Sequence, residues 1–515
     1  MEMFDSLMMG FSVALSPTNL LYCLIGALLG TIVGVLPGIG PLTTIAMLLP
    51  VTFTLPALPS LIMLAGIYYG AHHAGATTAI MLNMPGEPSS IVACLDGYPM
   101  ARQGRAGPAL CMAAIGSFAA GCISLIIVAF LSPPLAALAL TFGPAEYCAV
   151  IVMAFVAVSV VSTAPVMMTL SMTMIGVLLA TIGTDVISGA RRFEFGISEL
   201  SDGIDFVVLA VALFAFAEIA SQANVKETAH KFAKVRGLLP TRADLAQSWK
   251  AILRGSSLGS LFGVLPGTGP LISAFASYSM EKRLASEPSR FGRGAIEGVA
   301  GPAAADNAAA YTHFIPMLTL GIPAGAAMAL MLAALSIQGV TAGPQIMIEH
   351  PDLFWGVVSS MWLGNLMLLV LNLPLVGIWI RLLMIPYRLL YPAVLVLCCI
   401  GIYTIKNSPF DVGMAAVLGL VGYAFTRLDC PPAPLIIGFI LGPMLETNLR
   451  RTLMIAGGDY TVFVRKPGSL VFLLIALGIL LSIVMPGLTR KRIAVPDASK
   501  NDDALGAGQN KSGIS

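Results

Sequence analysis

Apolar runs close to the thickness of a bilayer core recur along the chain, separated by short polar stretches. Ala106–Leu131, Tyr147–Pro165, Gly356–Ile380 and Ser469–Val484 are nearly continuous in apolar residues, which predicts helices surrounded by lipid or by other helices. Two runs are interrupted. Asn83-Met84-Pro85-Gly86-Glu87-Pro88 breaks the one around Ile67–Leu95, and Gly321-Ile322-Pro323-Ala324-Gly325 breaks the one that starts at Ala305. Proline removes a donor and glycine loosens the helix, so both breaks predict helices interrupted inside the membrane. With about four crossings between Ala106 and Ala220, a counterpart from Ala305 to near Arg450 and the last run Ser469–Val484, roughly 11 crossings (±2) result. The expected fold is an all-α polytopic membrane protein.

Composition agrees with the pattern. Of 515 residues, 57% are apolar and 10% are charged, against about 25% charged in a soluble domain. Too little polar surface remains to cover a water-soluble globule, which excludes a cytosolic enzyme, a secreted disulfide scaffold and a nucleic-acid binder. The eight cysteines show no CxxC spacing and read as small core residues. Met1–Asn19 has no Lys or Arg, so no cleaved signal peptide is expected. Residues 488–515 are polar and read as a disordered cytoplasmic tail opening on Arg490-Lys491-Arg492.

An internal repeat organises the rest. Gly26–Leu42 reads GALLGTIVGVLPGIGPL and Gly255–Leu271 reads GSSLGSLFGVLPGTGPL. A weaker match pairs Leu82–Gly86 with Leu320–Ala324, so the chain is a duplicated unit of about 230 residues, as in many secondary transporters. No Lys or Arg precedes Arg102, whereas Lys226, Lys231, Lys234, Arg236, Arg242, Lys250 and Arg254 crowd the approach to the second copy. The positive-inside rule then starts the two copies on opposite sides, which makes the repeat inverted. Gly255–Met280 has basic residues on both flanks and is expected to be a re-entrant hairpin. Each arm is about 11 residues, or ~16 Å, so its tip reaches the midplane. The domains follow: a first repeat 1–225 with hairpin 26–51, a basic cytoplasmic linker 226–254, a second repeat 255–465 with hairpin 255–280, an extra transmembrane helix 466–487, and the tail. Arg191-Arg192 fits this topology poorly, since the count places it outside.

The candidate chemistry lies at the breaks. Bare carbonyls at the two Pro-Gly-x-Gly-Pro tips are tolerated in mid-membrane only where they face a cavity, and the helices that start after each tip present N–H groups to an anion. Candidate substrate-binding residues are therefore Pro37, Gly38, Gly40, Thr43 and Thr44 at the first tip, and Pro266, Gly267, Thr268, Gly269 and Ser273 at the second. Asn83, Pro85 and Gly86 join them from the first broken helix. Gly38, Gly267, Asp306 and Asn307 are candidates for holding Na⁺, because an ionisable group in an alanine-rich apolar stretch is a functional candidate. The plainer readings are kinked packing helices for the tips and a solvated turn for Asp306-Asn307. His72-His73 offers either a hydrogen bond to a carboxylate or a structural pair at a helix end. No HExxH and no P-loop occur, so neither zinc proteolysis nor P-loop ATP hydrolysis is expected, and no cofactor beyond Na⁺ or H⁺. Channels also use re-entrant loops; opposed hairpins favour alternating access.

These residues resemble the large membrane subunit of the tripartite tricarboxylate transporters, the TctA family. The resemblance rests on GVLPGIGPL at Gly34–Leu42, LNMPGEPSSIVACLDGYPMARQGRAGPAL at Leu82–Leu110, GVLPGTGPL at Gly263–Leu271, and the stretch from ADNAAA to LTLGIP at Ala305–Pro323. It departs at Ala303, where a glutamate is common, and at Ala324-Gly325, where Gly-Ser is common. The resemblance implies a permease of the bacterial inner membrane that works with a small membrane subunit and a periplasmic solute-binding protein. It further implies uptake of citrate-like carboxylates coupled to Na⁺ or H⁺. The alternative is a stand-alone carboxylate transporter or anion channel without accessory subunits.

Overall fold

A computed structural model describes residues 2–36, 40–162, 164–185, 187–222, 237–265, 269–382 and 387–484. Helix dominates; among the described residues the strands are Gly183–Thr184 and Arg191–Arg192, paired antiparallel. Five helices are long and apolar enough to cross a membrane: Pro17–Val35, Ala106–Ala139, Pro351–Asn372, Pro409–Arg427 and Pro432–Ile455. Shorter apolar helices such as Pro144–Ser159, Val166–Leu179, Ala326–Ile337 and Pro467–Leu481 accompany them. The chain is an all-α multi-pass membrane protein. Apolar side chains stay exposed on Pro409–Arg427, at Val417, Leu420 and Val421, and on Pro467–Val484, at Leu474, Leu477 and Leu481. In a bilayer these side chains face hydrocarbon at no cost.

The centre is built differently. Ala57–Leu82 is buried without interruption from Pro59 to Met81, and Glu297–Thr312 from Gly298 to Thr312. Both are rich in Ala and carry polar side chains, because their neighbours are helices and not lipid. Each packs on one arm of a glycine-bearing helix pair. Gly26, Gly30 and Gly34 of Pro17–Val35 lie on the carbonyls of Met63, Ile67 and Ala71. Gly255, Gly259 and Gly263 of Arg242–Val264 lie on those of Gly301, Ala305 and Ala309. Both are four-residue ladders of small residues, which let backbones touch where a Cβ would collide.

Two helical hairpins hold the ladders. In the second, Arg242–Val264 is followed by Gly269–Leu284. Arg254 pairs with Glu281 (Nε–Oε1 2.7 Å), so the polar parts of the two helices lie together. The first arm begins at Arg242, not Gly255, because Thr241 caps it through Asp244 N (3.2 Å) and the polar segment continues the helix. The first hairpin has arms of 19 and 12 residues, Pro17–Val35 and Pro41–Thr52, or about 28 and 18 Å. Its first arm starts at Pro17, capped by Ser16, instead of Gly26, so it has the length of a full span. Residues 37–39 and 266–268 at the tips lie outside the described residues, as do 223–236 of the basic linker.

The broken helices end alike. Ala57–Leu82 stops at Asn83 (φ 58°, ψ 28°) and Phe314–Leu320 at Gly321 (φ 68°, ψ 23°), both left-handed caps with proline two residues on. The chain then runs through Pro88–Ser90 into Ile91–Arg102, where buried Asp96 joins the two units. Its Oδ1 accepts from the backbone N–H groups of Gly292 (2.8 Å), Gly294 (2.7 Å) and Ala295 (2.8 Å), and its Oδ2 from Tyr278 Oη (2.9 Å).

Arg191 and Arg192 have acidic partners close by. Arg192 pairs with Glu446 (2.8 Å), and Arg450 with Asp185 (2.8 Å). The Ser188 hydroxyl first, then Arg450, hold the Asp185 carboxyl well below the usual carboxylate range.

Candidate functional site

The ladders bring charge together between the two units. His72 follows the last ladder contact of its helix, Ala71, and Asp306 follows the middle contact of its own, Ala305, so both stand beside the helix–helix seam. Glu87 enters from the break after Asn83. His72 Nδ1 lies 2.9 Å from Glu87 Oε1 and 3.0 Å from Asp306 Oδ1, so two carboxylates share one imidazole edge. The three residues are 5%, 6% and 4% exposed, and one ligand atom from each lies within 4.8 Å of the others. Three buried ionisable groups in a membrane interior are expensive, and are kept where they do work.

Each is held by its own surroundings. Glu87 accepts from the Ser89 hydroxyl, and Ser90 Oγ donates to Glu87 O (2.8 Å), which fixes the turn after the break. Tyr68 lies edge-on to His72 with ring centroids 4.7 Å apart, and its hydroxyl meets His313 Nδ1 at 2.9 Å. A small cavity lies against the cluster, with room for about one water molecule. It is lined by His72, Ser89, Ser90, Ser117, Asp306 and Asn307 among others. It is too small for a tricarboxylate. His73, next in sequence, lines a separate cavity with Asn372, and neither of its ring nitrogens has a partner among the described residues.

The profile of the tripartite tricarboxylate transporter TctA family matches residues 20–437, a span that takes in both ladders, both breaks and the charge cluster. The chain belongs to this family. It is therefore a TctA-type large subunit of a tricarboxylate transporter. It is 49% identical over 495 residues, 96% of its own length and 98% of the relative's, to the uncharacterised 52.8 kDa protein in the TAR-I ttuC′ 3′ region of Agrobacterium vitis. It is 53% identical over 234 residues, 45% of its own length and 97% of the relative's, to the uncharacterised protein in the TAR-II ttuC′ 3′ region of the same organism. No solved structure matches it.

Within this TctA chain the candidates read from sequence fall into three groups. Pro37, Gly38, Pro266, Gly267 and Thr268 lie outside the described residues. Gly40, Thr43, Thr44, Gly269 and Ser273 open the second arms of the hairpins, where the Thr44 hydroxyl donates to Gly40 O (3.3 Å) and that of Ser273 to Gly269 O (3.1 Å). Thr43 reaches further, donating to Phe214 O (3.3 Å) in a π-helical turn, Val211–Phe216. Asn83, Pro85 and Gly86 form the first break, and Gly86 abuts the Gly34 carbonyl so closely that a methyl group would collide with it. That contact ties the break to the hairpin arm leading to the first tip. Asp306 and Asn307 are buried in mid-helix, not in a solvated turn.

Sequence reasoning passed over Glu87 as a site residue although it lies inside the Pro-Gly-Glu-Pro stretch. An acidic residue directly after a break within an apolar run was the available signal. The partnership of His72 with Asp306 joins residues 234 positions apart and leaves no local mark.

Proposed function

We propose that this subunit is the permease of a binding-protein-dependent secondary transporter. It takes up citrate-like tricarboxylates or dicarboxylates across the bacterial inner membrane, coupled to the entry of a cation. A periplasmic binding protein delivers the carboxylate, and a small membrane subunit completes the assembly. The two Pro-Gly-x-Gly-Pro tips, with Asn83, Pro85, Gly86, Thr43 and Ser273 nearby, enclose the anion. The inverted units then exchange access between the two sides. The observation that carries this reading is the buried His72–Glu87–Asp306 cluster at the seam of the duplicated helices. Its acidic members can hold a cation close to the break that abuts Gly34. A cation bound beside a carboxylate substrate lowers the cost of moving that charge through a low-dielectric layer.

The test is uptake of a panel of labelled carboxylates by proteoliposomes containing the purified subunits. Uptake is expected only with the binding protein present and with an inward Na⁺ or H⁺ gradient. Flux through the large subunit alone, without binding protein or gradient, would favour the stand-alone transporter or channel.

A further inference from the structure

The His72–Glu87–Asp306 cluster sets two carboxylates against one imidazole. With both carboxylates ionised it carries one net negative charge even when His72 is protonated, and an uncompensated charge in a buried site is costly. Beside it lies the cavity sized for about one water molecule. Asp306 and Asn307 line that cavity from Glu297–Thr312, Ser117 from Ala106–Ala139, and Ser89 and Ser90 from the turn after the break. Asn307 is the independent observation. Its Nδ2 donates to Ser117 Oγ (2.8 Å) and to Ala303 O (3.1 Å). Since a carbonyl only accepts, the second bond fixes which way the amide points. Asn307 Oδ1 is thereby left buried and without a partner among the described residues, on a side chain 1% exposed. A buried amide oxygen in that position calls for a donor or a cation.

The geometry points to a single Na⁺ bound in this cavity by the Asp306 carboxylate, Asn307 Oδ1 and the surrounding serine hydroxyls. The lining offers carboxylate, amide and hydroxyl oxygen, the ligands a hard cation takes. A water molecule would fill the space but would leave the charge deficit; Na⁺ meets both needs, and the small volume disfavours K⁺. This site rests on the permease reading above only for its role, as the place where the coupling ion sits; the binding itself does not depend on it.

Binding of radiolabelled Na⁺ to the purified full-length protein in nanodiscs tests the proposal, at neutral pH with EDTA present and choline replacing the balance of salt. Saturable binding displaced by unlabelled Na⁺, and not by K⁺ or choline, is expected. Asp306→Asn and Asn307→Leu should each weaken it by about tenfold or more. Asn307→Asp, which keeps an oxygen at the position, should retain it, and a melting temperature measured in choline identifies any variant that has merely failed to fold. No saturable binding by the wild type, or unchanged binding in folded Asp306→Asn and Asn307→Leu, overturns the site. Uptake driven by a pH gradient in a protein that binds no Na⁺ overturns the site and leaves the permease standing. Na⁺ binding with no carboxylate uptake under any gradient supports the site and overturns the permease.

Discussion

The two ladder pairs share their glycine spacing, and a left-handed helix end follows each, yet their charges differ completely. By ladder register His72 in the first unit stands where the second has Ala310, and Asp306 in the second stands where the first has Tyr68. Glu87 follows the first break, where the second has Gly325. The two ladders therefore share a framework, and among the described residues the ionisable cluster has no second copy. Each unit contributes what the other lacks, and the site exists only where they meet. Asn83 against Gly321 shows the same divergence at small scale: the left-handed cap is kept, and the residue that makes it has changed.

The largest expected effect strikes the asymmetric part. His72→Ala leaves two buried carboxylates without their imidazole, and breaking a buried ion pair costs about 3–5 kcal/mol. Carboxylate uptake should fall to background and the purified protein should melt earlier, whereas Ala310→Ser at the matching position should do neither. Equal behaviour of the two variants would break the comparison. The symmetric part should respond symmetrically. Gly30→Val and Gly259→Val each press a side chain onto a helix carbonyl, of Ile67 and Ala305 respectively, for about 1–3 kcal/mol apiece. Clearly unequal losses in thermal unfolding would mean that the two ladders are not the same device.

The caps give a smaller, directional effect. A Cβ at Gly321 would sit 2.6 Å from Ala342 O. Gly321→Asn should therefore cost about 1–3 kcal/mol, while Asn83→Gly should change the melting temperature little. Smallest is a control outside both ladders. The Asp185 carboxyl, held low by Ser188 and Arg450, contributes stability in full above the ordinary carboxylate range near pH 4. That contribution is lost as pH falls through its depressed folded value. Asp185→Asn should melt below wild type at neutral pH, and the gap should close only in strong acid.

The breaks were legible because glycine and proline leave local marks: Asn83–Pro88 and Gly321–Pro323 disturb apolar runs that are otherwise unbroken. The extent of the arms was less so, because polar Arg242–Arg254 resembles a linker until Thr241 is recognised as a helix cap. The π-helical turn at Val211–Phe216 has an ordinary apolar sequence, and nothing in it announces the carbonyl that Thr43 finds. The charge cluster was half legible. Asp306 stood out in its alanine stretch, but its partners lie on a distant helix and in a distant turn, and only packing brings them within reach.

The close seating of Gly86 on Gly34 turns the hairpin arm and the turn that bears Glu87 into one lever. A shift of Gly34 would carry Gly86 and its neighbour Glu87 with it, and so alter the 2.9 Å approach of Glu87 to His72.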